Sequence, residues 1–284
     1  MSGLSDFLIL VAVALAPALA YLVWVRDTER YRTEAWSTVL GAFAYGAIFS
    51  TIVAGTLEGI IVAAGTSLSK AVPGPEFIFL NGNSTAGLFF LVLVVAPFIE
   101  EAMKASGVHA YRRRIRLLAD GPVLGASVGF GFGFLETLLY GLGAYVVGGL
   151  AAGLLLIIVR SFSSVLLHGS STAIFGIGYA RGRLLPGSGP GAGRGYLTAV
   201  GMHSTFNFLA SIGVILAAAG VPSPIAAYGD LLALLVAVLF AVAAFGYVRA
   251  YVSVADYPAL HGGGRFQPKP KARSVPPPGG PRRT

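Results

Sequence analysis

The sequence predicts an all-α protein, a polytopic bundle of about seven transmembrane helices. Apolar residues make up 55% of its 284 residues and charged residues only 11%, whereas a soluble domain carries roughly 25% charged residues. A hydrocarbon core about 30 Å thick needs about 20 apolar residues per helix, and such stretches recur along the chain. These observations exclude a water-soluble fold.

The candidate spans are apolar segments that are each long enough to cross the membrane as a helix. The first is interpreted as a retained helix and not as a cleaved signal peptide, because it carries Asp6 and no basic residue precedes Arg26. The predicted spans are 6–25, 37–63, 87–111, 121–143, 152–180, 195–219 and 225–251.

The basic residues indicate the orientation of the chain. Of the 20 Lys and Arg residues, 17 lie at the C-terminal ends of spans one, three, five and seven or in the segments that follow them, and one, Lys70, lies on the opposite side. Cytoplasmic loops attract Lys and Arg, so the sequence predicts a multi-pass protein of the cell membrane with its N-terminus outside and its C-terminus in the cytoplasm. The basic residues that give the chain its net charge of +8 are therefore predicted to lie mainly on the cytoplasmic side. The expected partners are the lipid bilayer and a substrate, and not nucleic acid.

Two regions of different character are predicted. Residues 1–255 form a transmembrane domain, and the polar motifs lie in its central part, about 87–211. Residues 256–284 are basic, rich in Pro and Gly, and unable to bury a core, so they are predicted to be a disordered cytoplasmic tail. The absence of cysteine excludes disulfides, thiolate metal sites and cysteine nucleophiles.

Ionisable residues within the spans are the strongest indication of function. Each costs about 2.5–3.5 kcal/mol at the bilayer centre on insertion scales, so they are expected to face one another or a water-filled cavity. Glu58 and Asp230 lie near the ends of their spans and are interpreted as interface residues. The others are Glu100, Glu101 and Lys104 in span three, Glu136 in span four, Arg160 and His168 in span five, and His203 in span six.

Helical spacing places these residues on shared faces, because residues four apart lie on one side of a helix. Four consecutive spans each carry one polar stripe, and we expect all four stripes to point inward. A stripe of glycines in span four is expected to allow close helix packing. The polar stripes are Glu100 with Lys104, Phe132 with Glu136, Arg160 with Ser164, His168 and Thr172, and His203 with Asn207.

Carboxylates, imidazoles and an amide in this arrangement are typical of a hydrolytic site. Burial raises the pKa of a glutamate and makes it a better base toward water. A histidine can polarise that water or donate to a developing oxyanion. Asn207, one turn from His203, is the predicted oxyanion donor.

These motifs resemble those of the PrsW intramembrane proteases, a family related to the CAAX prenyl endopeptidases and bacterial self-immunity proteases (the CPBP superfamily). The resemblance covers about residues 87–211, and one departure is Thr137, where the family usually has Asn. It implies an endopeptidase that cleaves membrane-anchored protein substrates. The motifs are Glu100-Glu101-x-x-Lys104, Phe132-x-x-x-Glu136, His168 and His203-x-x-x-Asn207, and the resemblance implies that Glu100, Glu101 and His203 matter most.

Two mechanisms stay open. In a metal-free mechanism, Glu100 or Glu101 activates water, and His203 and Asn207 stabilise the oxyanion. In a zinc mechanism, Glu136, His168 and His203 bind the metal, and the Glu100/Glu101 pair supplies the base. The metal-free mechanism is preferred, and Lys104, Arg160 and Phe132 are assigned structural or electrostatic support in both.

Two other classes of protein are alternatives. Intramembrane Glu, His, Lys and Arg also form the proton relays of transporters and channels. Transporters usually have two similar halves, and the sequence has no internal repeat. A catalytically inactive relative that acts as a membrane scaffold is the third possibility.

Overall fold

The structure is a computed structural model that describes residues 3–72, 74–187 and 189–256. This described part consists of helices joined by loops and contains no strand. The predicted tail, 256–284, lies outside the described residues except for Asp256. The helices are α1 (Gly3–Arg26), α2 (Trp36–Ala71), α3 (Thr85–Ala110), α4 (Asp120–Phe162), α5 (Ser164–Leu184), α6 (Ala192–Ala210), α7 (Ile212–Ala218) and α8 (Ser223–Val254).

The predicted multi-pass helical architecture is confirmed. Five helical stretches within the described ranges are long and apolar enough to cross a membrane, and α6 with α7, bent by 54°, makes a sixth if the pair is one span. The predicted count of seven and the predicted orientation stay predictions. The five stretches are Gly3–Arg26, Trp36–Ala71, Thr85–Ala110, Asp120–Leu184 and Ser223–Val254.

The longest stretch, Asp120–Leu184, reverses its direction at Gly149. This residue has φ 72° and ψ −170°, a backbone conformation that glycine adopts without steric cost. Beyond it the chain runs back along itself, so that Gly141 faces Ile157 and, further along, Glu136 contacts Arg160. The stretch therefore consists of two antiparallel arms, 120–148 and 150–184.

Glycines allow the two arms to pack backbone against backbone, as the glycine stripe predicts. A Cβ added at Gly121, Gly125 or Gly129 would collide with the backbone carbonyl of Gly176, Thr172 or His168, respectively. Phe130 of α4 packs against Tyr21 of α1 and Phe245 of α8, with ring centroids 5.9 and 6.1 Å away, and its ring also lies against Gly169 of α5. These contacts fix the position of α5, which carries His168, relative to α4.

Buried carboxylates accept backbone hydrogen bonds from the loops at the end of the bundle where α1, α3 and α8 end. In the loop after α3, the backbone N–H groups of Arg116 and Leu117 donate to Asp120. The next N–H group, that of Leu118, donates to Asp256 at 2.7 Å. Glu29, in the loop after α1, accepts the backbone N–H of Glu34 at 2.7 Å. Burial is the main cause that raises the pKa of Glu29 to about 8.

Candidate active site

The backbone of α3 is irregular just before the two adjacent acids. Its segment Leu91–Val95 is a π-turn and Pro97 follows. In π geometry the carbonyl of Val92 points to the nitrogen five residues on, and that nitrogen belongs to Pro97 and has no proton. The side chain of Asn207 supplies the missing donor, with Nδ2 2.9 Å from the Val92 oxygen. Asn207, the predicted oxyanion donor, therefore stabilises the π-turn.

Lys104 is fully buried and lies at the centre of the polar residues. Its Nζ donates to Glu101 Oε1 at 2.9 Å, to Glu100 Oε2 at 3.2 Å and to His168 Nδ1 at 2.8 Å. A lysine ammonium can only donate, so His168 Nδ1 is an acceptor and the proton of this neutral ring lies on Nε2. Phe132 lies beneath the ammonium, with its ring centroid 4.1 Å from Nζ.

The two histidines are held by different carboxylates. His168 Nε2 donates to Glu136 Oε2 at 2.7 Å, and His203 Nδ1 lies 3.1 Å from Glu101 Oε1. The rings stand perpendicular, with centroids 4.9 Å apart. Their remaining nitrogens both face Glu100, whose Oε2 lies 4.0 Å from His168 Nδ1 and 3.8 Å from His203 Nε2.

Glu136 and Arg160 form a second ion pair beside this group. Arg160 donates to Glu136 Oε2 at 2.7 Å and to Ser164 Oγ at 2.9 Å. Its guanidinium also stacks on Tyr140, 4.0 Å from the ring centroid. Because Arg160 and Glu136 belong to the two antiparallel arms, this pair also joins the arms next to the site.

The predicted residues thus converge as the polar stripes indicated. Eight of them form one connected group, and Asn207 lies at the wall of the cavity beside it. Glu101 is the least exposed acid of this group, at 1%, and the hydroxyl groups of Ser171 and Thr172 also donate to its oxygens. The eight are Glu100, Glu101, Lys104, Phe132, Glu136, Arg160, His168 and His203.

A cavity of about 490 Å³ lies beside the group and gives access to part of it. Glu100, Glu136 and His168 line the cavity, whereas Glu101 and Lys104 do not. Glu58 of α2 also lines it, and its Oε1 is buried without a hydrogen-bond partner among the described residues.

The structure thus adds Glu58 to the surroundings of the site. Its position at the membrane interface stays a prediction.

The formal charges of this region do not balance. Taken as ionised, the three carboxylates of the connected group (Glu100, Glu101 and Glu136) and the two cations Lys104 and Arg160 leave one negative charge when the histidines are neutral. A divalent cation would change this to one positive charge, so formal charge does not decide between the two mechanisms.

Comparison with known protein families decides between the classes that the sequence left open. Residues 34–245 match the family described as PrsW family intramembrane metalloprotease. The chain belongs to the PrsW family. This membership confirms the predicted membrane peptidase and its multi-pass membrane location, and supports them over a transporter or a scaffold. Searches of curated proteins and of solved structures gave no match.

The family description implies a metal ion, and the residues present fit one. Glu100, His168 and His203 each offer one ligand atom, and these atoms lie within 4.8 Å of one another. Two imidazoles and one carboxylate are a ligand set of catalytic zinc sites. Carboxylates hold the far nitrogen of each imidazole, as they commonly do behind metal-bound histidines. The metal and the ammonium of Lys104 would compete for the same lone pair of His168 Nδ1.

This set of ligands differs from the predicted one. The sequence analysis grouped Glu136 with the two histidines, whereas the structure groups Glu100 with them. The reason is that Glu136 meets His168 at Nε2, while Glu100 faces the Nδ1 side of the ring and also His203. The sequence alone favoured the metal-free mechanism, whereas the family description and this geometry favour the metal-assisted one.

Proposed function

We propose that this PrsW family protein cleaves peptide bonds of membrane-anchored protein substrates at a metal-assisted centre formed by Glu100, His168 and His203. The observation that supports this most strongly is that three separate helices, α3, α5 and α6, bring one carboxylate and two imidazoles within 4.8 Å beside a cavity. When bound, an ion of the zinc type supplies a water of lowered pKa and polarises the scissile carbonyl.

The carboxylates behind the histidines determine which nitrogens face the centre. Glu136 accepts the Nε2 proton of His168, and Glu101 accepts the Nδ1 proton of His203. His168 Nδ1 and His203 Nε2 are then unprotonated, as ligands must be. Glu101 acts through His203 and is a positioning residue, since Lys104 and two hydroxyl groups occupy its oxygens.

Glu136 also offers an acceptor for the proton of the attacking water. Arg160, Ser164 and His168 all meet its Oε2, which leaves Oε1 without a hydrogen bond among the described residues. The side chain is 19% exposed and lines the cavity. In this mechanism Oε1 takes the proton from water and returns it to the leaving amine.

In the proposed topology the chain crosses the membrane seven times, with the N-terminus outside, as the sequence predicts. The arms 120–148 and 150–184 count as two spans, and α6 with α7 counts as one. Because the chain has no cysteine, single variants Ser69→Cys and Arg113→Cys report the side of each loop. An impermeant thiol reagent is expected to label Ser69→Cys from outside the cell and Arg113→Cys only after permeabilisation. Labelling of both from one side would contradict the topology.

Metal analysis tests the proposed centre. Protein purified in mild detergent is expected to hold about one divalent cation per chain, and Glu100→Gln and His203→Ala are expected to lose it. Arg113→Gln, in the exposed loop after α3, is the control and should retain the metal. Full peptidase activity after chelation, with no metal detectable, would show that the centre works without a metal.

A further inference from the structure

A second cavity, also about 490 Å³, lies between the C-terminal ends of α1 and α8. It is separate from the candidate active site and shares no lining residue with it. Since α1 ends at Arg26 and α8 at Val254, the cavity lies where the apolar spans meet water. Its lining includes Trp24, Thr28 and Arg30 on one side and Gly246, Arg249 and Ser253 on the other.

Arg249 is held in one position within this cavity. Its guanidinium stacks on Trp24 at 4.2 Å from the ring centroid, and its Nε donates to Thr28 Oγ1 at 3.1 Å. Trp24 is itself fixed by an edge-on contact with Phe245, with centroids 5.5 Å apart. In the part of the chain that the structure describes, no carboxylate pairs with Arg249, so its charge is fixed and uncompensated.

The other charged residues leave the cavity positive. Asp27 lines it, but Arg26 neutralises this carboxylate through an ion pair of 2.9 Å. Arg30 is exposed and forms no ion pair within the described ranges. Two arginines, Arg30 and Arg249, therefore offer positive charge to a ligand.

We propose that this cavity binds the phosphate-bearing headgroup of an anionic membrane lipid. The paired donors of an arginine fork match phosphate oxygens, and basic clusters at the membrane surface attract anionic lipids. Trp24 is 51% exposed, as is usual for tryptophans at the membrane interface. Exposed apolar residues of the adjoining spans, such as Val23 and Val242, offer a surface for the acyl chains.

Lipid binding to the full-length protein in detergent tests the proposal. Native mass spectrometry would compare phosphatidylglycerol with phosphatidylcholine on the parent and on two charge-matched double variants. Arg30→Gln/Arg249→Gln removes the cavity charges, and Arg113→Gln/Arg114→Gln removes two exposed charges from another loop. Phosphatidylglycerol is expected to bind the parent more tightly than phosphatidylcholine, and the cavity variant, which lacks two arginines, is expected to lose about 30-fold in affinity. The control is expected to bind as the parent does.

Gly246 provides a variant that changes no charge. A Cβ at this position meets no atom within 4 Å, so Gly246→Leu extends a side chain into open space at the cavity and is expected to weaken phosphatidylglycerol binding. Equal binding by the parent and both cavity variants, with unchanged thermal unfolding, would overturn the proposal. Inorganic phosphate that displaces the lipid at similar concentrations would also overturn it and would identify a site for free phosphate.

Discussion

Helices α4 and α5 pack closely at Gly129 because glycine has no side chain, and this close packing sets the position of His168. An added Cβ at Gly129 would lie 2.7 Å from the carbonyl carbon of His168 and 2.8 Å from Cα of Gly169. Ordinary van der Waals contact begins at about 3.4 Å, so Gly129→Ala requires α5 to move by at least about 0.7 Å. The moving group is backbone, which cannot rotate out of the way. His168 therefore moves relative to Glu100 and His203.

We expect Gly129→Ala to reduce peptidase activity about 100-fold, because a misplacement of about 1 Å at a reacting centre can cost that much. The control is Gly143→Ala on the same helix, where an added Cβ meets nothing within 4 Å, and its activity should equal that of the parent. Both variants are assayed by cleavage of one peptide substrate, and thermal unfolding identifies any misfolded preparation. Full activity of Gly129→Ala would show that this close contact does not position His168.

Three further predictions concern buried polar groups. Lys104→Met leaves Glu100 and Glu101 without their shared cation and is expected to lower the free energy of unfolding by about 3–5 kcal/mol. The unfolding temperature should fall accordingly, whereas the exposed control Lys70→Met should leave it unchanged. Asn207→Ala removes the donor of the Val92 carbonyl, so we expect it to cost about 1–3 kcal/mol, whereas a role only in oxyanion binding would reduce activity at unchanged stability. The raised pKa of Glu29 means that the folded protein keeps a proton that the unfolded chain has lost between about pH 4.5 and 8. The unfolding temperature should therefore fall with rising pH in that range more steeply for the parent than for Glu29→Gln, with identical slopes as the contradicting result.

The convergence of the polar group could be predicted from sequence because a lipid environment penalises every alternative. Glu100, Glu136, His168 and His203 lie on four helices, and each is expensive unless it faces the others. Periodicity of four then gives the face of each helix. The same physics explains why these residues form one connected group in the structure.

Details that depend on backbone irregularity could not be predicted. The sequence indicated a loop at about 144–151, whereas the chain reverses at the single residue Gly149. The bend between α6 and α7 falls inside the predicted span 195–219. The choice of Glu100 over Glu136 as a partner of both histidines depends on which ring nitrogen each carboxylate faces, and spacing along a helix does not determine that.

Mapping of cleavage sites tests the central claim most directly. Purified protein would be incubated with a library of membrane proteins and peptides, and new termini would be identified by mass spectrometry for the parent, Glu100→Gln, His203→Ala and the control Arg113→Gln. The account predicts that the parent and the control produce the same new termini and that both site variants produce none, although all four remain folded. New termini that are identical for all four proteins would contradict a peptidase centre at Glu100 and His203.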